Sequence, residues 1–162
     1  MRLRSRCGDQ QGAAVVEFAV LFLLLIIFLF GIFELGFVWV QSFYVANAAR
    51  EGARVAAKLD PEEVPDPTNN VQSAVKSYLG GLYTSDRTDD CCASGDFIGV
   101  VINNAKTLSA GTTTVPAIEV TVTVQTADIY EPILWDLLNL IPGTDVTEVR
   151  QISGSAVFAR DP

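Results

Sequence analysis

The sequence predicts an α+β protein, with a long N-terminal transmembrane helix followed by a small head that contains a short helix and an antiparallel sheet. Three observations support this. The 16 residues of Phe18–Phe33 include no charge, and the apolar character continues to Val40. Apolar and polar residues alternate over Ile118–Gln125, the period-2 pattern of a strand with one buried face. Three prolines in Asp60–Asn70 separate the two parts, because proline cannot sustain helical hydrogen bonds.

Composition excludes several classes of function. The 162 residues suffice for about one domain, and the formal net charge is −8. An acidic surface argues against binding nucleic acid, whose phosphates require clustered Lys and Arg. The chain has no His and three Cys, so a zinc site is not expected, and no cofactor is indicated. No catalytic set of nucleophile, base or paired carboxylates can be assembled by inspection, so we do not expect an enzyme.

The N-terminal third is predicted to be a basic leader, residues 1–12, and then a helix over residues 13–59. At 1.5 Å per residue, Phe18–Val40 would be about 34 Å long, enough to cross the hydrocarbon core of a bilayer. Good helix formers follow as far as Leu59, which predicts that the helix continues beyond the membrane. The apolar run therefore predicts a single-pass anchor.

The orientation of this anchor is not decided by charge, because Lys and Arg are nearly balanced on its two sides. We predict a cytoplasmic N-terminus, since the leader is short and the Thr/Val-rich acidic head resembles an exported domain. Three aromatic residues suit the outer interface: Trp39, Phe43 and Tyr44. The alternative is a secretory signal cut near Ala46–Ala48, although that site lies well past the apolar core.

The head is predicted to follow the linker of residues 60–70 and to occupy residues 71–162. Its short helix should span Val71–Leu79, with an Asn cap and a glycine stop. Helical spacing predicts that one face of it consists of Val71, Ala74, Val75 and either Leu79 or Tyr78. Phe97–Asn103 and Gln151–Arg160 are the expected partners of the strand Ile118–Gln125. Residues 129–143 are rich in large apolar groups and contain two prolines, which suggests a short helix or a loop closing the sheet.

The cysteines offer a separate signal. Cys91 and Cys92 are adjacent in an acidic loop that the predicted orientation places outside the cytoplasm, where thiols are often oxidised. Three states remain open for them: a vicinal disulfide, intermolecular bonds, or free thiols.

The stretch Gly12–Arg54 resembles the TadE-like segment of pilus-assembly proteins, which are minor pseudopilins of the tight-adherence, or Flp, branch of type IV pili. The similarity lies at both ends: Gly12 followed by small residues and Glu17-Phe18, and the block NAAREGAR at Asn47–Arg54. Many members carry a proline shortly after the Glu-Phe pair, and this chain does not. Its helix is therefore expected to be straighter there.

The resemblance implies a minor pseudopilin with a pilin-like head, acting in assembly of these pili for adhesion or secretion. A prepilin peptidase would cut between Gly12 and Ala13. The implied partners are that peptidase, other pilins or pseudopilins, inner-membrane pilus assembly proteins and membrane lipid. The implied location is the bacterial inner membrane, with the pilus or cell surface as a further destination. The alternative is a membrane-anchored envelope binding protein that is neither processed nor assembled.

Two acids in the apolar run need an explanation. After the implied cut, Glu17 would be the fifth residue and Phe18 the sixth, and both are interpreted as assembly or recognition residues. Glu17 would pair with the new α-amine of Ala13, within the chain or on a neighbouring subunit, because pairing lowers the cost of a charge in lipid. The other interpretation is an interfacial acid. Glu34, near the opposite interface, is either a solvated acid or a subunit contact.

Small residues recur at helical spacing through Asn47–Arg54 and its flanks, which allows a second helix to approach closely. The candidate residues for helix packing or partner contact are Asn47, Arg50, Glu51, Gly52 and Arg54. The other interpretation is that this face covers the protein's own head.

Overall fold

The computed structural model describes residues 9–59, 69–93, 95–126 and 151–160. Its elements are α1 (Asp9–Ala56), α2 (Asn70–Leu79), α3 (Ser85–Asp89), β1 (Ile98–Ala110), β2 (Thr113–Gln125) and β3 (Gln151–Ala159). The predicted α+β class is confirmed: a long N-terminal helix precedes a small head with a short helix and an antiparallel sheet. The chain divides into two units, and α1 contributes to both, passing from one to the other between Phe37 and Val38.

Helix α1 is continuous over 48 residues. It begins four residues before the predicted start at Ala13 and ends three residues before Leu59. The amide of Ala57 still donates to the carbonyl of Ala53 at 2.9 Å, so the helix closes with a last turn rather than at a sharp break.

The apolar part of α1 is exposed. An 18-residue window of the helix has a mean hydropathy of 3.0, and none of that window is buried. The helix is thus long and apolar enough to span a membrane, by length and composition.

Helix α2 begins one residue earlier than predicted and buries the expected stripe: Val71, Val75 and Leu79. The prediction of an Asn side-chain cap is not met, because Asn69 has a left-handed φ of 57° and its side chain makes no capping hydrogen bond. Its carbonyl instead accepts from the Ser73 amide at 2.8 Å. Gly80 ends the helix in a right-handed conformation, so its freedom to adopt positive φ is not used. The single turn of α3 was not predicted.

The three strands form one sheet in the order β1-β2-β3, and both pairings are antiparallel. The two predicted partners of the central strand are confirmed. The register places Ile98 opposite Val124, and Ile118 opposite Phe158. The alternation in β2 turns one set of side chains fully inward: Ile118, Val120, Val122 and Val124.

The β1–β2 hairpin is longer than predicted, since β1 runs seven residues past Asn103 and β2 starts five residues before Ile118. An irregularity between Asn103 and Lys106 shifts the register, and Gly111 supplies the positive φ of 66° that the tight turn requires. Most side chains beyond the irregularity are small, polar and exposed, so the sequence showed no alternation there.

The core of the head lies where the second half of α1 and helix α2 cover one face of the sheet. Helix α1 contributes five fully buried small or medium side chains: Val45, Ala48, Ala49, Ala53 and Ala56. They pack with the stripe of α2 and with the inward valines of β2. Most of the predicted linker and the predicted segment 129–143 lie outside the described residues.

Candidate functional site

The residues of the implied processing signal lie in the first turns of α1. Glu17 follows Ala13 by one helical turn, about 6 Å along the axis and on the same face. Both residues are exposed, and nothing lies within 4 Å of the position that a Cβ on Gly12 would occupy. An amine at the nitrogen of Ala13 would therefore be within side-chain reach of the Glu17 carboxylate.

Phe18 is 69 % exposed, and its ring stacks on that of Phe22 one turn later, with centroids 5.9 Å apart. This pair presents an apolar surface directly after the acid. Among the residues that the structure describes, no ion pair to Glu17 is formed. The segment thus offers an exposed carboxylate and exposed aromatic rings.

Glu34 differs from Glu17 in its surroundings. Its exposed fraction is 6 %, whereas its neighbours Phe33 and Leu35 are 69 % and 73 % exposed. The Glu34 side chain is therefore shielded, while those of its two neighbours are open.

The NAAREGAR block has a buried side that packs inside the protein. A Cβ at Gly52 would lie 2.9 Å from a methyl of Val75 in α2 and 3.2 Å from a methyl of Val120 in β2. Ala49 and Ala53 on the same side are completely buried. The interpretation that this face covers the protein's own head is the one that the structure shows, and Gly52 is not available to a partner.

The other side of the block is polar and exposed. Arg50 donates to the Asn47 side chain at 3.0 Å, and Arg54 donates through Nε to Glu51 at 2.9 Å. The hydrogen bond from Arg54 lowers the pKa of the Glu51 carboxyl, and the same bond raises the pKa of Arg54. Of the five residues predicted for packing or partner contact, these four remain accessible and only Gly52 is enclosed.

Sequence reasoning missed a second close approach in the head. A Cβ at Gly154 in β3 would lie 2.8 Å from the Cα and 2.9 Å from the backbone nitrogen of Ala46 in α1. The available signal was a glycine on the inward side of β3, between Ile152 and Ala156. In a strand, such a glycine often marks a close backbone approach.

The two adjacent cysteines are joined in a disulfide, with their Cα atoms 3.6 Å apart. Of the three states left open by the sequence, the structure has the vicinal disulfide. Elsewhere in the head, the Tyr83 hydroxyl is buried and has no hydrogen-bond partner among the described residues, and this burial raises the pKa of Tyr83 to about 12. Within the described ranges, no three His, Cys, Asp or Glu side chains are grouped to hold a metal ion.

An exposed apolar helix that continues into the core of a small α+β head defines a class of protein: one compatible with single-pass membrane anchoring. Within that class, residues 12–54 match the family model described as TadE-like protein. This confirms the resemblance over those 43 of the 162 residues and associates the chain with the tight-adherence pilus system, whose TadE-like members are in general not enzymes. No curated protein and no solved structure matches the chain.

Proposed function

We propose that the protein is a minor pseudopilin of a tight-adherence pilus, cut by a prepilin peptidase between Gly12 and Ala13. Its α1 anchors it in the inner membrane, with the leader of residues 1–12 in the cytoplasm and the head outside. In this proposal residues 13–59 are the anchor and its extension, residues 60–70 a linker and residues 71–162 the head. The observation that carries it is the TadE-like match over residues 12–54, which begins at the glycine before an exposed apolar helix.

Cleavage at Gly12 would change the electrostatics of the helix start. The positive end of a helix dipole lies at the first unsatisfied amides of the helix. Removal of residues 1–12 would move that end to Ala13 and add an α-amine with a pKa near 8, mostly protonated at neutral pH. Glu17 would then follow the first turn directly. Its carboxylate would then lie close to two sources of positive charge, the α-amine and the amide end of the helix.

The cut also has a structural requirement, because the Gly12–Ala13 peptide lies inside α1. A peptidase that needs an extended backbone must first open the turn around it. Helix ends fray with little free energy, so opening there is inexpensive. Gly12 assists because it has the lowest helix propensity apart from proline and no side chain to obstruct the enzyme.

The C-terminal part of α1, from Val45 to Ala56, belongs to the core of the head. Displacement of the helix during assembly would carry the sheet with it through the approaches at Gly52 and Gly154. The exposed side of the NAAREGAR block, with Arg50 and Arg54, is then the surface offered to other pilins or to membrane assembly proteins. Bilayer lipid is the proposed environment of the apolar part.

Mass spectrometry of the mature N-terminus tests the processing step. We expect Ala13 as the first residue in cells with an active prepilin peptidase, and the intact leader in cells without it. Gly12→Val should block the cut, because a branched side chain would obstruct the approach of the enzyme. An intact leader in the presence of active peptidase contradicts the proposal and favours an unprocessed, membrane-anchored envelope binding protein.

The role of Glu17 is tested separately by pilus counts in a strain producing Glu17→Ala. We expect the variant to insert in the membrane and to be processed, but to give few or no pili, because the amine of Ala13 loses its counter-charge. Val16→Ala is the matched control: Val16 is an exposed neighbour, 64 % accessible, and carries no charge. Normal piliation with Glu17→Ala would rule out the proposed pairing.

A further inference from the structure

The residues just before β1, of which the structure describes 90–93 and 95–97, contain the vicinal disulfide, and these described residues are here called the CC loop. A bond between neighbouring cysteines closes a ring of eight atoms, and such a ring restricts the backbone at both residues. Cys92 has a φ of 94°, a value that residues with a Cβ rarely adopt. The ring therefore holds Cys92 in a conformation that a free cysteine would leave.

The CC loop is attached to the outer edge of β1 through Ile98. The Cys92 amide donates to the carbonyl of Ile98 at 2.6 Å, and the Ile98 amide donates to the carbonyl of Asp90 at 3.1 Å. Cys91 forms an isolated parallel bridge with Ile98. Among the strands that the structure describes, β1 lies at the edge of the sheet, with β2 on its other side. The loop thus occupies the start of an edge that would otherwise be free to pair with another strand.

The same loop orients an aromatic cluster. The Phe97 amide donates to the Asp90 carboxylate at 3.1 Å, and the Phe97 ring is 2 % exposed. That ring meets Tyr83 edge-on with centroids 5.3 Å apart, and the Arg87 guanidinium lies 5.4 Å from its centre. The turn at Cys92 is hydrogen-bonded to Ile98, and Ile98 directly follows Phe97. The backbone at Cys92 and the packing of the Phe97 ring are therefore linked.

We propose that Cys91–Cys92 is a thiol–disulfide exchange site that accepts a dithiol reductant, and that its reduction releases the CC loop from the edge of β1. Both cysteines are partly exposed, so a thiolate can reach the bond. Disulfides that are exposed or held in strained surroundings are the more easily reduced ones. This goes beyond the proposed pilus function and does not depend on it.

The exchange step is balanced in atoms and electrons. One thiolate of the dithiol attacks a sulfur of the pair, a mixed disulfide forms, and the other cysteine leaves as a thiolate that takes a proton. The second thiol of the reagent then displaces the first cysteine. The products are two cysteine thiols and the oxidised, cyclic disulfide of the reagent, so two electrons and two protons enter the protein. Cys92 is then free to return to negative φ, and its hydrogen bond to Ile98 is lost.

The reduced cysteine pair can bind a class of reagent that the disulfide cannot. Two thiols on adjacent residues can both bond one trivalent arsenical, with release of water from the arsenical oxide. Phenylarsine oxide is therefore a probe for the reduced state. It should label the reduced protein once and leave the oxidised protein unlabelled.

The test uses the full chain in detergent micelles with Cys7→Ser, so that only the pair can react. Without denaturant, dithiothreitol should convert a protein that takes no N-ethylmaleimide into one that takes two molecules. Amide hydrogen exchange at Cys92 and Ile98 should accelerate on the order of tenfold after reduction, while the amide of Val122 in β2 stays unchanged. Unchanged exchange at Cys92 and Ile98 in the fully reduced protein would overturn the proposal, as would a disulfide that yields only in denaturant.

Two double variants separate the bond from the backbone conformation. Cys91→Ser with Cys92→Ser should show the fast exchange with and without reductant. Cys91→Ser with Cys92→Gly also lacks the bond, but glycine tolerates a φ of 94°, so its Ile98 amide should exchange more slowly than in the Ser/Ser variant. Equal exchange in the two variants would contradict the role of the Cys92 conformation. If either double variant fails to fold, the proposal is tested by reduction of the Cys7→Ser protein alone, in which Cys91 and Cys92 are intact.

Discussion

Helix α1 contains two regions in which burial follows opposite rules. In Phe18–Val40 the side chains are large and apolar and yet exposed: Leu24 is 65 % accessible and Trp39 is 76 % accessible. In Val45–Ala56 the inward residues are mostly alanines, and Ala49 and Ala53 are completely buried. Within α1, the side chains with the largest apolar surface are thus exposed, and the small side chains of Val45–Ala56 form part of the core of the head.

The difference shows that hydrophobicity and packing are separate properties of one helix. Large exposed apolar side chains on a helix of this length are compatible with a membrane-spanning segment. Alanine and glycine gain little by burial, but they let the helix backbone come close to α2 and to the sheet. Substitutions in the second region should therefore change the stability of the head, and equivalent ones in the first should not.

The largest effect is expected from Gly154→Ala. The new methyl would lie 2.8–2.9 Å from backbone atoms of Ala46, which cannot rotate away, so α1 and β3 must separate. We expect a loss of about 3 kcal/mol in the free energy of unfolding, at the upper end of overpacking costs. Urea unfolding in micelles measures it. Ser155→Ala, the exposed next residue, is the control, and equal stability of the two variants would refute the close approach.

Gly52→Ala should have a smaller effect, because its methyl would meet the ends of two valine side chains, Val75 and Val120, which can shift. We expect a net loss of about 1–2 kcal/mol, after the gain of about 1 kcal/mol in helix propensity. Gly36→Ala makes the same chemical change in the first region, with nothing within 4 Å. It should leave the head unchanged in the same unfolding measurement. A stability loss with Gly36→Ala would break the comparison between the two regions.

Tyr83→Phe should stabilise the head. The buried hydroxyl has no hydrogen-bond partner in the part of the chain that the structure describes, so its removal relieves a desolvation cost, and we expect a gain of about 1 kcal/mol. The gain should grow at alkaline pH. Burial raises the Tyr83 pKa to about 12, whereas the unfolded value is about 10, so the unfolded chain loses its proton first and the wild type weakens as pH rises through this window.

Below a pH of about 10 both states of Tyr83 are protonated, and the stability difference between wild type and variant should be constant. Tyr78→Phe is the matched control, because Tyr78 is 38 % exposed. Unfolding curves recorded between about pH 8 and about pH 12 provide the measurement. A wild type that weakens no more than Tyr83→Phe over that range would contradict the assignment.

The smallest effect is expected from Glu51→Gln on the exposed side of the NAAREGAR block. The Arg54 bond lowers the Glu51 pKa, so the contribution of the pair is present above the unfolded pKa and is lost as pH falls through the folded value. Exposed pairs contribute little, and we expect a melting temperature within about 2 °C of wild type at neutral pH. A drop as large as that of Gly52→Ala would show that the outer side of the helix is packed as well.

Sequence patterns predicted a secondary-structure element correctly where the segment had one strong local signal. The uncharged run predicted the apolar helix, alternation from Ile118 predicted β2, and spacing predicted the buried stripe of α2. Local rules failed where the signal was weak: the hairpin beyond Asn103 has small polar residues without alternation, and α3 is a single turn. The Asn side-chain cap is missing because Asn69 has a left-handed backbone conformation, whereas a capping residue has an extended one.

For the candidate site, the resemblance over Gly12–Arg54 came from the sequence and is confirmed by the family match. The sequence left open whether the small residues of the NAAREGAR block serve a partner or the protein's own head. Their spacing is the same in both cases, so no local pattern could decide between them. The contact of Gly52 with Val75 and Val120 decided it, since these residues meet only in the folded chain.

Residue chemistry alone determined that α1 needs an apolar environment over its first half, because a long uncharged run has that property whatever surrounds it. The long-range contacts had to come from the folded chain. Gly154 lies against Ala46 and Gly52 against α2 and β2, and each contact joins residues far apart in sequence. The physical reason is that hydrophobicity is a property of each side chain, whereas close packing is a property of pairs, and pairs are defined only by the fold.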